Sequence, residues 1–88
     1  MKYVIVEQSG LELPIIFPDV INHNLFACWR PVSAGEVRIY GAEEPLPDAC
    51  CCENAIRVAA FGNSTTLKLK SRPEDGELIA RELMRHYN

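Results

Sequence analysis

No apolar run in this 88-residue chain approaches the ~20 residues that a membrane-spanning helix needs. The opening stretch Tyr3-Val4-Ile5-Val6 is interrupted at Glu7, and it is too short for a secretory signal core. A cytoplasmic protein with mostly reduced thiols is therefore expected. Basic residues are scarce as well. Nine Lys and Arg stand against twelve Asp and Glu, a net charge of −3, which lacks the electrostatic footprint of a phosphate-backbone binder. Internal repeats and low-complexity segments are missing, so a solenoid is excluded. An apolar content of 48% argues against disorder. Cysteine pairs with two to four residues between them, the habit of structural zinc sites, are also missing.

The clearest positive signal is a change of period near the end of the chain. Thr65 to Lys70 alternates with period two, which predicts a strand with Leu67 and Leu69 inward and Lys68 and Lys70 outward. Ser71-Arg72-Pro73-Glu74 fits a capping box with proline in the first turn. Gly76, Ile79, Ala80, Leu83, Met84 and Tyr87 then form one apolar stripe of a helix over Asp75–Tyr87. Glu77–Arg81 and Glu82–His86 are i,i+4 pairs on its wet side, and Leu78 falls outside the stripe.

Upstream, Tyr3–Val6 has the composition of a strand buried on both faces. Ser9-Gly10 is a turn signal, and residues 11–17 alternate, so the two runs predict an opening hairpin. Pro14 cannot donate to a ladder, so the second strand is expected to be an edge or to be bulged there. Asp19 is a candidate N-cap for a short helix over 20–29, with Ile21, Leu25, Cys28 and Trp29 toward the sheet and Pro31 as its stop. Val32–Tyr40 reads as a third strand with a bulge at Ala34-Gly35. Gly41–Asp48 reads as a rigid acidic loop, Ala55–Phe61 as a fourth strand, and Gly62-Asn63-Ser64 as a hairpin loop before the fifth. The expected fold is one α+β domain over 1–88. It has two layers: a mostly antiparallel sheet of about five strands, with a short helix and the C-terminal helix packed on it.

Three function classes follow. A chain of this size buries a small core, which pairing with a second copy would enlarge. Protein–protein contact, as a homodimer or with another protein, is the leading expectation. Its candidate contact residues are Leu13 and Ile15 on the edge strand, Glu43 and Glu44 in the acidic loop, and the unstriped Leu78. Leu46 and Tyr40 are further exposed apolar candidates. The second class is nucleic-acid binding through Lys68, Lys70, Arg72, Arg81 and Arg85, although acids interleave with them and no aromatics do. The third is a thiol or metal protein using Cys50, Cys51 and Cys52, with Cys28, His23 and His86 as possible partners. Consecutive cysteines face opposite sides of an extended chain, so Cys50-Cys51-Cys52 reads first as small buried hydrophobes at a strand entrance. His23 reads as a residue of an exposed helix face or a local hydrogen-bond network, and His86 as a last-turn cation. No catalytic constellation converges, and neither an enzyme activity nor a cofactor is expected.

The segments Val32-Ser33-Ala34-Gly35-Glu36-Val37-Arg38 and Leu67-Lys68-Leu69-Lys70-Ser71-Arg72-Pro73-Glu74-Asp75 resemble small uncharacterised proteins encoded by bacteriophages and prophages. The opening Met1-Lys2-Tyr3-Val4-Ile5-Val6 shares in that resemblance, and together the segments cover about half the chain. The resemblance implies a bacterial host cytoplasm and an accessory role, and it brings no site residue with it.

Overall fold

A computed structural model describes residues 1–40, 51–53 and 56–87. Strands β1 (Lys2–Gln8) and β2 (Leu11–Phe17) form the opening hairpin. Ser9 and Gly10 both have positive φ, 53° and 80°, as the turn that matches strand twist requires. A 3-10 helix (His23–Trp29) leads into β3 (Pro31–Ile39). Next come β4 (Cys51–Glu53), β5 (Ile56–Phe61), the short pair β6 (Asn63–Ser64) and β7 (Leu69–Lys70), and helix α1 (Asp75–Tyr87). Among the described residues, five strands form an antiparallel sheet in the order β2-β1-β3-β5-β4, and β6 and β7 form a separate ribbon. The α+β class and the C-terminal helix are as the periodicities predict, and among the described residues no helix is long and apolar enough to cross a membrane.

Strand β1 carries both cores. Its alternate residues Tyr3 and Ile5 join Val37, Val58, Ile79 and Ala80 under α1. Val4 and Val6 join Phe17 and Ala34 on the other face, beneath the 3-10 helix and the β6–β7 ribbon. Tyr3, Val4, Ile5 and Val6 are all at most 1% exposed, the double-sided burial expected of a central strand. Removing each such side chain from water is worth roughly 1.5–3 kcal/mol. Ser33, fully buried on β3, is the one described side chain whose buried polar atom lacks a partner. Ser33→Ala removes that desolvated hydroxyl and is expected to be neutral or to raise stability by up to ~1 kcal/mol in a urea titration.

Several local expectations are corrected. The segment Thr65–Lys70 is not a strand of the sheet. Residues 65–68 form a turn in which the Leu67 N–H donates to Ser64 Oγ and Lys68 takes φ +56°. Leu67 and Leu69 still reach the second core, so the alternation reports burial across a turn and not a pleat. Asn63–Ser64, expected as loop, is β6. The register shift opposite β1 lies at Val32, between the Ser33 and Pro31 pairings, and not at Ala34-Gly35. Cys51–Glu53 is an edge strand of its own, while Cys50 and the acidic loop 41–48 lie outside the described residues.

The short helix differs most. Asn22 caps it, its side chain accepting from Asn24 N–H at 2.9 Å, in place of Asp19. A 3-10 helix repeats every three residues, so side chains at i and i+3 eclipse. His23, Phe26 and Trp29 thus form one row, and Asn22, Leu25 and Cys28 another. The first row begins in the core and the second lies outside it, so Leu25 and Cys28 are exposed, contrary to the 3.6-residue reading.

Candidate functional site

Two arrangements of side chains stand out. The first is a buried polar latch that fixes α1. Asp75 opens the helix and is fully buried. Its carboxylate accepts from Tyr3 Oη at 2.6 Å, from the Arg72 backbone N–H at 2.9 Å and from Arg72 Nε at 3.0 Å. Asp75 therefore performs the reach-back that the sequence assigns to a Ser71–Glu74 capping box. Arg72 continues outward and holds Glu12 on β2 with two parallel bonds of 2.9 and 3.2 Å. Burial first, and then the bonded Asp75 carboxylate, push the Tyr3 phenol well above its ordinary value of 10.0. Hydrogen bonding to Arg72 holds the Glu12 carboxyl below its ordinary range, and the same bond raises the guanidinium. The chemistry of this group is clamping: β1, β2 and the start of α1 are tied by one carboxylate and one guanidinium.

The second arrangement is an exposed apolar ridge. His23, Phe17, Phe26 and Trp29 form a ladder of ring contacts, with centroid separations of 5.3, 4.8 and 6.0 Å. His23 is its buried foot, and Nε2 donates to the Tyr3 and Gly35 carbonyls at 3.1 and 2.9 Å. Trp29 is the outer rung, half exposed, and its carbonyl accepts from Gln8 Nε2 at 3.3 Å. Gln8 is paired with Leu11, which is 63% exposed, and Leu25 on the neighbouring row is 66% exposed. Gln8 thus brings Trp29 and Leu11 together beside the β1–β2 turn, while Leu25 is exposed on a different row of the helix.

The expected sites fare unevenly. Leu13 and Ile15 are partly buried against the second core, and Leu78 is partly buried against the first. Leu78 is therefore not the spare apolar residue that the stripe suggested. Glu43, Glu44 and Leu46 lie outside the described residues. Strand β2 is an edge, as Pro14 predicts. The turn closes on Gln8–Leu11, so bonded pairs alternate from there, and Glu12, Pro14 and Ile16 direct their backbone groups outward. Pro14 has no N–H to leave unpaired, and it interrupts the edge as a template for another strand.

The basic stripe is largely neutralised. Arg72 is spent on Glu12 and Asp75, Arg81 pairs with Glu77, and Arg85 lies 3.3 Å from Glu82. Lys68, in the turn, and Lys70, on β7, are exposed and line a shallow groove with Asn63–Thr65 and Leu69. A second polar cleft, of about 200 Å³, lies between Lys2, Asn22, Glu36 and Ser64–Thr66. Its groups satisfy one another: Lys2 Nζ donates to the Ile21 carbonyl, and Thr66 Oγ1 to Asn22 Oδ1.

Of the thiols, Cys28 is free and exposed. His23 lies on the other row of the same helix, buried, with its Nε2 proton spent on carbonyls, so the two form no nucleophile–base pair. Among the described residues no cluster of three His, Cys, Asp or Glu side chains is arranged to hold a metal ion. The His86 and Cys51–Cys52 side chains lie outside the described residues.

The latch and the ridge were both missed in the sequence. Tyr3 and Asp75 are 72 residues apart, and no local pattern links them. The ridge had a signal: two asparagines in a short segment stopped by Arg30-Pro31 suit a 3-10 turn better than an α-helix. Comparison with protein-family models, curated proteins and solved structures finds no match to this chain.

Proposed function

We propose that this protein works by protein–protein contact and pairs with a second copy of itself through the surface at Trp29 and Leu11. The single observation that carries the reading is the half-exposed Trp29, packed on Phe26 and joined through Gln8 to the exposed Leu11. Self-pairing would enlarge the small core that an 88-residue chain can bury. The interruption at Pro14 makes side-chain packing, and not strand addition, the mode of contact. The resemblance to small phage and prophage proteins supports an accessory, non-enzymatic role within a bacterial host.

Trp29 is the only tryptophan, so its emission reports the contact directly. Dilution of the wild type is expected to redden that emission as the mass from light scattering falls from dimer to monomer. Trp29→Glu is expected to weaken association about 30-fold or more, the size of a central contact residue. A strictly monomeric mass at millimolar concentration would refute the reading.

A further inference from the structure

With Arg72, Arg81 and Arg85 paired, the basic stripe reduces to the two lysines of the β6–β7 ribbon. The ribbon's register sets Asn63 opposite Lys70 and Ser64 opposite Leu69. Ser64 is buried and Leu69 packs on the second core, so alternation turns Asn63 and Lys70 outward. Thr65 and Lys68 are the exposed ends of the turn between the two strands. Lys68 holds φ +56°, a left-handed conformation that glycine and asparagine adopt with less strain than lysine. The turn is tied from within: Ser64 Oγ accepts from the Leu67 N–H and lies 3.3 Å from Thr66 Oγ1. Asn63, Ser64, Thr65, Lys68, Leu69 and Lys70 together line a groove of about 390 Å³. None of these described lining residues is an acid, and Glu36 lines the adjoining cleft instead. Among the described residues, neither ammonium has a hydrogen-bond or ion-pair partner.

We propose that this groove binds a small phosphate monoester, with its phosphoryl group between Lys68 and Lys70 and its organic body against Leu69. The charges match. A monoester carries about −1.5 to −2 at neutral pH, which two ammoniums balance. A nucleic-acid backbone track, with one charge on each of many phosphates, needs more cations than these two. The Asn63 amide and the Thr65 hydroxyl supply neutral donors for the phosphoryl oxygens that the ammoniums leave over. Lysine binds phosphate as a point charge, without the planar fork of arginine, so the groove discriminates by charge more than by shape. Its volume falls within the ~300–1,000 Å³ of small-molecule sites, with room for an ester group beside the phosphoryl. Leu69 and the aliphatic stems of the two lysines give that group apolar walls. None of these residues belongs to the proposed self-pairing surface, so failure here leaves that reading standing.

Amide shifts of the whole, unaltered chain, followed by NMR during titration with phenyl phosphate at low salt and neutral pH, test this directly. They are expected to cluster at residues 63–70 and to saturate in the millimolar range. Phenyl sulfate has the same shape and about one charge fewer, and is expected to bind about threefold more weakly. Inorganic phosphate is expected to move the same amides at lower affinity, because it has no body to place on Leu69. Lys68→Gln and Lys70→Gln are each expected to weaken phenyl phosphate binding about 2- to 5-fold, the range of an exposed ion pair. Lys68→Glu with Lys70→Glu is expected to abolish it. Lys68→Gly separates contact from folding. Glycine adopts the left-handed conformation readily, so the melting temperature is expected to hold or rise while affinity falls as in Lys68→Gln. Absence of shifts at millimolar phenyl phosphate, equal affinity for phenyl sulfate or for inorganic phosphate, indifference to both glutamine variants, or tighter binding of a ten-nucleotide thymidine strand would each overturn the proposal.

Discussion

Asp75→Ala is expected to cost about 3–5 kcal/mol, the range for removing one partner of a buried charged pair. A domain of this size holds only about 5–8 kcal/mol in total, so the variant is expected to keep roughly 0–5 kcal/mol and to melt at a much lower temperature. The reason is that one carboxylate answers three donors. Without it the Tyr3 hydroxyl, the Arg72 backbone N–H and one edge of the guanidinium are left facing a core from which water is excluded. Tyr3→Phe is milder, about 1–2 kcal/mol, because Asp75 keeps both bonds from Arg72. Urea titration of the two single variants and the double variant measures the coupling within the latch. The latch also sets an alkaline limit. The Tyr3 phenol in the folded chain is held well above 10.0, while the unfolded chain releases that proton near its ordinary value. The stabilisation is therefore complete below pH 10 and is lost as pH rises beyond it. Circular-dichroism melts between pH 8 and 12 are expected to show this fall in the wild type and a shallower one in Tyr3→Phe.

Gly35→Ala is the second severe substitution, with an expected loss of about 3 kcal/mol or more, at or beyond the upper end for overpacking. A methyl group at this position would meet the backbone carbonyl of Phe61 well inside van der Waals distance, and the Tyr3 ring at 3.3 Å. Backbone cannot rotate away as a side chain can, so β3 and β5 must separate. Their register runs from Glu36 opposite Phe61 to Ile39 opposite Val58. The measurement is a thermal melt together with amide exchange at Val37 and Ile39. A near-wild-type melting temperature would mean that the two strands are not held as closely as described.

These two positions show where sequence reading succeeds and where it stops. Tyr3–Val6 was legible from its β-branched and aromatic composition, the 11–17 strand from its turn signal and apolar alternation, and the Gly76–Met84 stripe because its apolar residues repeat with a fixed local period. Gly35 was noticed, but as a bulge. Its close approach to Phe61, 26 positions later, is a property of strand pairing that no local window contains. Thr65–Lys70 misled because a turn stabilised by Ser64 and a left-handed Lys68 can also send alternate side chains inward. The predicted basic stripe was real as composition. It failed as a surface because Glu12, distant in sequence, arrives beside Arg72. Local order was readable, and partners brought by topology were not.

The 72-residue span between Tyr3 and Asp75 has a consequence in time. A ribosome delivers the β1–β2 hairpin first, and its turn lets it close within microseconds. Its Tyr3 and Ile5 side then waits uncovered until α1 emerges, several seconds later at ordinary elongation rates. Throughout that interval the nascent chain displays a greasy sheet surface with no lid of its own. Pro14, sitting on the open border of that hairpin, is thus a guard for the unfinished chain: it denies neighbouring nascent strands a continuous edge until the last helix arrives.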